Sequence, residues 1–380
     1  MISNPFTPAF GGRPQFFFGR KAELSVIEGA LRNINSPYRA LFITGNRGCG
    51  KTALVERASA MAQEQGWDVI DVHSAHASHA IVRQLAKATQ QSVEHTVAPS
   101  GLGISVGGIS TTKTKSYDEL DLTSLLLDRC RKLPEGRGLF ISIDEVQKIK
   151  ESDMENVCAA FQMSLRKGMP VMLVMDGLPE SKQKIASYEG CTFMQRSQEI
   201  ELGSLLVDET IDAFGQMLQH AKGTTHTIDT VLALSQKSKG HPYLMQLLGY
   251  HLVELAAERH ANEPVPLEEN LVYEALPIAY GAFCTNVLEP SLSHLGSKLR
   301  DYLTAMSHLL DEDRKASTTA IAAWLSMSTQ QASSYRQRLI QRRLIEPASW
   351  GYVRFCLPYL DQYLTQKSDL VPRDENRWVN

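Results

Sequence analysis

The run Ala40-Leu41-Phe42-Ile43-Thr44-Gly45-Asn46-Arg47-Gly48-Cys49-Gly50-Lys51-Thr52 decides how the rest of the chain is read. A short apolar strand runs into glycines, and a helix pattern opens at Lys51 and stops at Gly66. Residues 45–52 match the spacing GxxxxGK[ST] at every fixed position. Glycines let the backbone curl with its N–H groups pointing inward, where larger side chains would block an anion. The helix that follows aims the positive end of its dipole at the same point. Gly45, Asn46, Arg47, Gly48, Cys49, Gly50, Lys51 and Thr52 are therefore the candidate phosphate loop, with Lys51 expected at the terminal phosphates and the Thr52 hydroxyl on Mg²⁺.

Outward from this run, strand-like segments at 67–72, 138–144, 170–175 and 199–202 alternate with helical patterns at 21–32, 77–90, 120–132 and 154–167. Strands that are apolar throughout predict a parallel sheet covered by helices on both faces, an α/β fold. Residues 139–143 end in Asp144-Glu145, which puts two carboxylates at the carboxyl end of a central strand, where open α/β sheets bind ligands. Asp144 is expected to hold Mg²⁺, and Glu145 to orient or deprotonate an attacking water. Helical patterns then follow at 208–222, 228–239, 243–260 and 268–286 with no strand between them, the last broken or kinked at Pro277. After a junction at 286–294, helices at 299–310, 318–325 and 329–343 precede a hairpin at 344–357, the order of a winged helix. The expected division is an α/β domain at 1–206, a helical lid at 207–290, a winged-helix domain at 291–366 and a tail at 367–380.

Composition bounds the alternatives. With 380 residues, 43% hydrophobic and 21% charged, the chain has room for two or three packed domains and is neither fibrous nor largely disordered. No apolar stretch is read as reaching the ~18–20 residues of a membrane span, and the first ten residues lack the basic and apolar blocks of a secretory signal. Six scattered cysteines without a CxxC pair fit reduced thiols in a cytoplasmic protein. Residues 291–380 carry 12 Lys/Arg and 9 Asp/Glu, net +3, which leaves −6 on the remainder. Any polyanion would therefore meet the C-terminal end.

With these motifs, the sequence resembles the AAA+ ATPases, in the branch that holds origin-recognition and initiator-loader proteins and the related STAND signalling ATPases. Phe18-Gly19-Arg20-Lys21-Ala22-Glu23-Leu24 looks like the box these families place before the first core helix, so the resemblance implies that Phe18, Gly19 and Arg20 line the nucleotide pocket. It also implies a polar sensor after the fourth strand, for which Asp176 stands in place, although Asp176 equally suits capping the turn at 177–179. An arginine finger is expected before the last strand; Arg196 is the candidate, with a solvated surface arginine as the alternative. Gly240-His241-Pro242-Tyr243 is similar to the GxP signature of STAND ATPases, with Pro242 also suited to a first helical turn. His241 would stand where origin-recognition proteins carry an arginine, a departure that favours a slow nucleotide-controlled switch over rapid hydrolysis. The resemblance thus implies a slow ATPase using ATP and Mg²⁺, with double-stranded DNA and further copies of the chain as candidate partners and no membrane.

In the C-terminal unit, the third helix carries Gln330, Gln331, Ser334, Arg338, Arg342 and Arg343 on its polar face with Tyr335 and Arg336 nearby, and Arg354 lies in the hairpin. These side chains suit phosphates and base edges. Winged helices also dock proteins, which leaves a STAND-type scaffold as the competing reading. Residues 92–116, rich in Gly, Ser and Thr, read as a surface loop or hairpin insertion, with a DNA- or partner-contacting hairpin as the alternative. His73, His76 and His79 recur every three residues; they read as a polar passage from loop into helix, since a metal site would need a fourth ligand and a rigid helix.

Overall fold

The computed structural model describes residues 2–9, 16–94, 121–259 and 264–369. They divide into two compact units, each with its own apolar core: Lys21–Thr44 with Leu54–Ile200, and Met1–Arg20 with Gly45–Ala53 and Glu201–Asn380.

In the first of these, the α/β unit, strands β1 (Ala40–Gly45), β2 (Asp68–Val72), β3 (Leu139–Ile143), β4 (Val171–Gly177) and β5 (Gln198–Leu202) form a five-stranded sheet in the order β2-β3-β4-β1-β5. β3 pairs in parallel with both β2 and β4, and β4 with β1. β1, β3 and β4 are buried at every residue, as strands covered on both faces must be. Helices α1 (Lys21–Arg32), α2 (Lys51–Glu64), α3 (Ala77–Glu94), α4 (Leu122–Lys132), α5 (Glu151–Arg166) and α6 (Ser181–Ala186) accompany the sheet. Register aligns the strand ends: Thr44 faces Gly177 on one side of β4, and Ile143 faces Met175 on the other. The carboxyl ends of β1 and β3 therefore lie on one edge of the sheet, two strands apart.

The helical unit contains α7 (Val207–Gln219), α8 (Ile228–Ser238), α9 (Pro242–Arg259) and α10 (Glu269–Phe283). Three expectations are corrected here. The short strands β6 (Thr224–His226) and β7 (Val265–Leu267) pair in parallel within this region, which had been read as strand-free; three residues are too few to show an alternating pattern. Pro277 lies inside α10 without ending it, and the rod passes through a π-helical turn at Cys284–Leu288 into α11 (Glu289–Leu292). Packing wins over the lost hydrogen bond, since Leu271, Val272, Ala275, Ala279 and Phe283 are buried in the core. This continuity also corrects the expectation about apolar length. Glu269–Leu292 spans 24 residues and holds an 18-residue window of mean hydropathy 1.3, enough by length and composition for a membrane crossing. One face of it nevertheless forms part of this unit's core.

The C-terminal part of the same unit runs α12 (Ser297–His308), β8 (Ala316–Ser317), α13 (Thr318–Trp324), α14 (Thr329–Gln341), β9 (Ile345–Ser349), β10 (Tyr352–Phe355) and α15 (Leu360–Asp369). Its three strands form an antiparallel sheet in the order β8-β10-β9. Residues 367–369 continue a helix rather than opening the tail, and 370–380 lie outside the described residues. Of the expected insertion, 92–94 are helical, and 95–116 lie outside the described residues.

The leading segment is tied down. Asn4 donates to the Tyr250 carbonyl at 3.1 Å and the Thr7 N–H to Gln246 Oε1 at 2.8 Å, while Phe6 is buried against Phe214 with ring centroids 6.2 Å apart. Gly249 makes room for it: a Cβ there would stand 2.2 Å from Phe6 Cε1. Phe6→Ala is therefore expected to cost about 3–5 kcal/mol of stability in this unit, read as a lower denaturant midpoint. Gly249→Val is expected to move the same transition in the same direction by displacing the ring.

Candidate functional site

The phosphate loop belongs to the helical unit, and its shape follows from its glycines. Gly48 and Gly50 have φ of +74° and +91°, left-handed values that a side chain strains against. A Cβ on Gly48 would lie 2.7 Å from Tyr243 Cβ and 2.9 Å from His241 Cε1. The absence of that atom lets Gly240-His241-Pro242-Tyr243 lie against the loop, and the Tyr243 N–H donates to the Gly48 carbonyl at 3.1 Å. Lys51 is buried and donates from Nζ to the carbonyls of Gly45 (2.9 Å) and Asn46 (3.0 Å), which holds the ammonium over its own loop. Thr52 is exposed, and Arg47 half-buried.

Arg20 braces this arrangement. Its guanidinium donates to the Cys49 carbonyl at 3.3 Å and to the Gly203 carbonyl, while its backbone N–H meets Glu209 Oε1 at 3.0 Å. Gly19 holds φ of +69° beside Leu205 and Glu209, and Phe18 stacks on Phe16 with centroids 5.9 Å apart. Arg20 thus supports the loop from below, through Cys49, itself buried.

His241 is buried, with neither ring nitrogen in hydrogen-bonding geometry to a protein group. Burial pushes its imidazole down to about 4; the Lys51 and Arg20 charges act in the same direction, and the Arg47 backbone opposes them. At neutral pH the ring is therefore uncharged, unlike the arginine whose place the resemblance assigns to it.

A contact not legible in the sequence closes this half. Asn46 Nδ2 donates to the Arg343 carbonyl at 2.8 Å, and the Arg343 guanidinium pairs with Glu201. A cavity of about 170 Å³ lies there, lined by Asn46, Cys49, Leu202, His241, Arg343 and Cys356 among others. Asn46 and Arg343 are 297 positions apart, so no local pattern announces their meeting.

The acidic pair belongs to the α/β unit. Asp144 follows β3; its N–H donates to the Val72 carbonyl at 3.0 Å, and its Oδ2 lies 3.5 Å from His73 Nδ1. Glu145 adopts a left-handed backbone (φ +53°, ψ +49°), which costs a non-glycine residue about 1–3 kcal/mol. Its N–H reaches Asp176 Oδ1 at 3.5 Å, and its carboxylate pairs with Lys148. Asp176 is fully buried at the end of β4, beside the turn that carries Glu145. The turn at 177–179 is held by Gln147, whose Oε1 accepts from the Leu178 N–H at 3.4 Å and the Ser181 hydroxyl at 3.5 Å. Arg196 is exposed at the end of the 3₁₀ segment before β5. Nearby, Glu199 accepts from the Thr44 hydroxyl at 2.7 Å and pairs with Lys182 at 3.2 Å. Glu199 and Lys182 carried no motif and were not singled out from the sequence.

The residues expected to face DNA are not uniform. Gln330, Ser334 and Arg338 are exposed on α14. Gln331 belongs to the capping box with Ser328. Arg336 is half-buried, its Nε enclosed, and its charge reaches the buried Tyr302. Arg342 donates to the His294 carbonyl at 3.4 Å, and Arg354 pairs with Glu346. Trp350, at the tip of the β9–β10 hairpin, is 99% exposed; a tryptophan between Ser349 and Gly351 in a turn was the visible signal for it.

Taken by itself, the loop suits a nucleotide's phosphates, with left-handed glycines that open its backbone, one ammonium and one hydroxyl; taken by itself, the acidic turn offers carboxylates of the kind a hard divalent cation takes. Residues 17–175 match a family described as AAA ATPase domain, and residues 285–364 match a domain of unknown function, DUF8462. No curated protein matches the sequence. Among solved structures, the chain is similar to a Walker-type ATPase of Pyrococcus abyssi (16% identity, TM-score 0.61, covering 93% of this chain and 97% of that one). It is also similar to the ORC2 protein of Aeropyrum pernix, solved as ADPNP–ADP complexes (14%, TM-score 0.62, 96% and 98%), and to Cdc6p of Pyrobaculum aerophilum (13%, 0.50, 97% and 100%). At such identities the likeness is one of fold, and the fold is that of P-loop AAA+ ATPases of the origin-recognition and Cdc6 type with a helical C-terminal region.

The buried imidazole makes stability depend on pH. Its folded value, about 4, lies below the ordinary 6.5, so the stability of the neutral ring is complete above about pH 6.5 and is lost as pH falls towards 4. His241→Gln is expected to lose about 1–3 kcal/mol less than the wild type between neutral pH and about pH 4, measured by urea unfolding.

Proposed function

We propose that the protein is an ATP-binding and slowly ATP-hydrolysing AAA+ switch whose nucleotide state is coupled to DNA contact through a C-terminal winged helix. The observation that carries this reading is the phosphate loop: left-handed glycines after β1, a lysine folded over the loop and a helix opening behind it. In this reading Lys51 neutralises the terminal phosphates, Thr52 and Asp144 take Mg²⁺, and Glu145 leaves Lys148 to orient the attacking water. ATP with Mg²⁺ supplies the phosphoryl group transferred to water. Phe18, Gly19 and Arg20 shape the nucleotide's surroundings, and Asp176 acts through the Glu145 backbone. Arg196 is proposed as a finger towards another copy's nucleotide.

The neutral His241 supports slow turnover, because an uncharged ring contributes less than an arginine to a developing phosphoryl charge. Coupling is supported by the hydrogen bond from Asn46 to Arg343, which ties the phosphate loop to the residues just after α14. On the DNA side, Gln330, Ser334 and Arg338 are exposed on α14 and suit phosphate and base contact. A second reading, a STAND-type scaffold that docks protein, is favoured by the internal partners of Arg342 and Arg354 and by the bare Trp350.

Lys51→Ala is expected to weaken ATP binding by about 10–100-fold, measured with a fluorescent nucleotide. Glu145→Gln is expected to retain binding and lower kcat by about 10²–10⁴-fold. Unchanged hydrolysis in both variants would refute the assignment. For the coupling, full-length protein should shift duplex DNA at about 50 mM salt and lose that shift as salt rises, with Arg338→Ala weakening it. No shift at low salt would move the assignment to the scaffold.

A further inference from the structure

His76 and His79 read in the sequence as a polar passage into α3 because no further ligand was in view. The fold supplies one from 74 positions away. Asp153, in the first turn of α5, is 5% exposed and lies beside both imidazoles. Ligand atoms of His76, His79 and Asp153 all fall within 4.8 Å of one another. We propose that these three residues form a site for a borderline divalent transition-metal cation, Zn²⁺ foremost, separate from the nucleotide's Mg²⁺.

The carboxylate is divided between two tasks. Its Oδ1 accepts from the Ser78 N–H at 2.7 Å and from the Ser78 hydroxyl, which caps α3 and fixes the plane of the group. Its Oδ2 faces His76 Nδ1 at 3.4 Å. Two ligands at ~2.0–2.1 Å from a tetrahedral zinc stand ~3.4 Å apart, so this pair already has the spacing of a coordination edge. His79 follows on the same face of the first turn, and its ring meets that of His76 edge-on with centroids 6.1 Å apart. Both histidines are exposed, and the His79 ligand atom lies within 4.8 Å of the other two, so turning its ring would bring it to the third corner, with water at the fourth.

Two imidazoles with one carboxylate select against Mg²⁺ and Ca²⁺, which take oxygen ligands, and suit zinc, nickel or cobalt. Ser78 does for Asp153 what outer-shell partners do at metal centres, orienting the ligand before the metal arrives. A bound cation would join the β2–α3 connection to α5. The same connection carries His73, which faces Asp144, so loading the site would steady one wall of the acidic turn.

The test uses full-length protein free of nucleotide and magnesium, titrated with Co²⁺ alone and read by visible absorption, then with Zn²⁺ in competition. One Co²⁺ per chain is expected, with the d–d bands of a low-coordinate nitrogen–oxygen site and displacement by Zn²⁺. His76→Ala and His79→Ala replace exposed side chains and should fold normally by circular dichroism, yet lower affinity by at least about 10-fold. Asp153→Asn keeps an oxygen for Ser78 and should weaken binding similarly, whereas His73→Ala should leave it unchanged. Absent cobalt bands in the wild type, or equal affinity in the wild type and His79→Ala, would overturn the proposal.

Discussion

A missing Cβ at Gly48 sets the terms on which the phosphate loop exists. With φ at +74° the loop turns back on itself, and the vacant volume admits His241 and Tyr243 at distances no methyl group would tolerate. Tyr243 then bonds the Gly48 carbonyl, Arg20 bonds the Cys49 carbonyl, and Lys51 bonds those of Gly45 and Asn46. Loop carbonyls are thus taken up by the protein around them. The loop is shaped by its neighbours before any anion arrives, which removes the entropy of ordering it from the cost of binding.

The acidic turn shows a related logic. Glu145 occupies a left-handed conformation that β-strand geometry would not produce, and the buried Asp176 carboxylate lies against its N–H. Strain of this kind persists where surrounding groups over-determine it. Lys148 pairs with the Glu145 carboxylate and so fixes the side chain that follows this strained turn.

Much of the fold was legible because its signals are local. Residues 40–52 contain a strand, its glycine turn and a helix start within one window, and burial of β1, β3 and β4 follows from runs of apolar side chains. The same locality explains the misses. Pro277 read as a break or a kink because its lost hydrogen bond is visible in sequence; the helix does not break there, and the burial of Leu271, Val272, Ala275, Ala279 and Phe283 that holds it together is not visible in sequence. Gln331 and Arg336 shared a helix with Arg338, but capping claimed one and the neighbourhood of Tyr302 the other.

Spacing along the chain was enough to establish the glycine loop, the carboxylates after an apolar strand, and the alternation that builds a parallel sheet, because each depends on residues a few positions apart. Folding alone brought Asn46 to Arg343, Thr44 to Glu199, and His76 to Asp153. Those meetings depend on which helix faces lie together and how strands register, quantities summed over hundreds of weak contacts. For this reason the turn of the loop and the helix behind it could be read from eight residues, while the groups that brace and cover it emerged only from the packed chain.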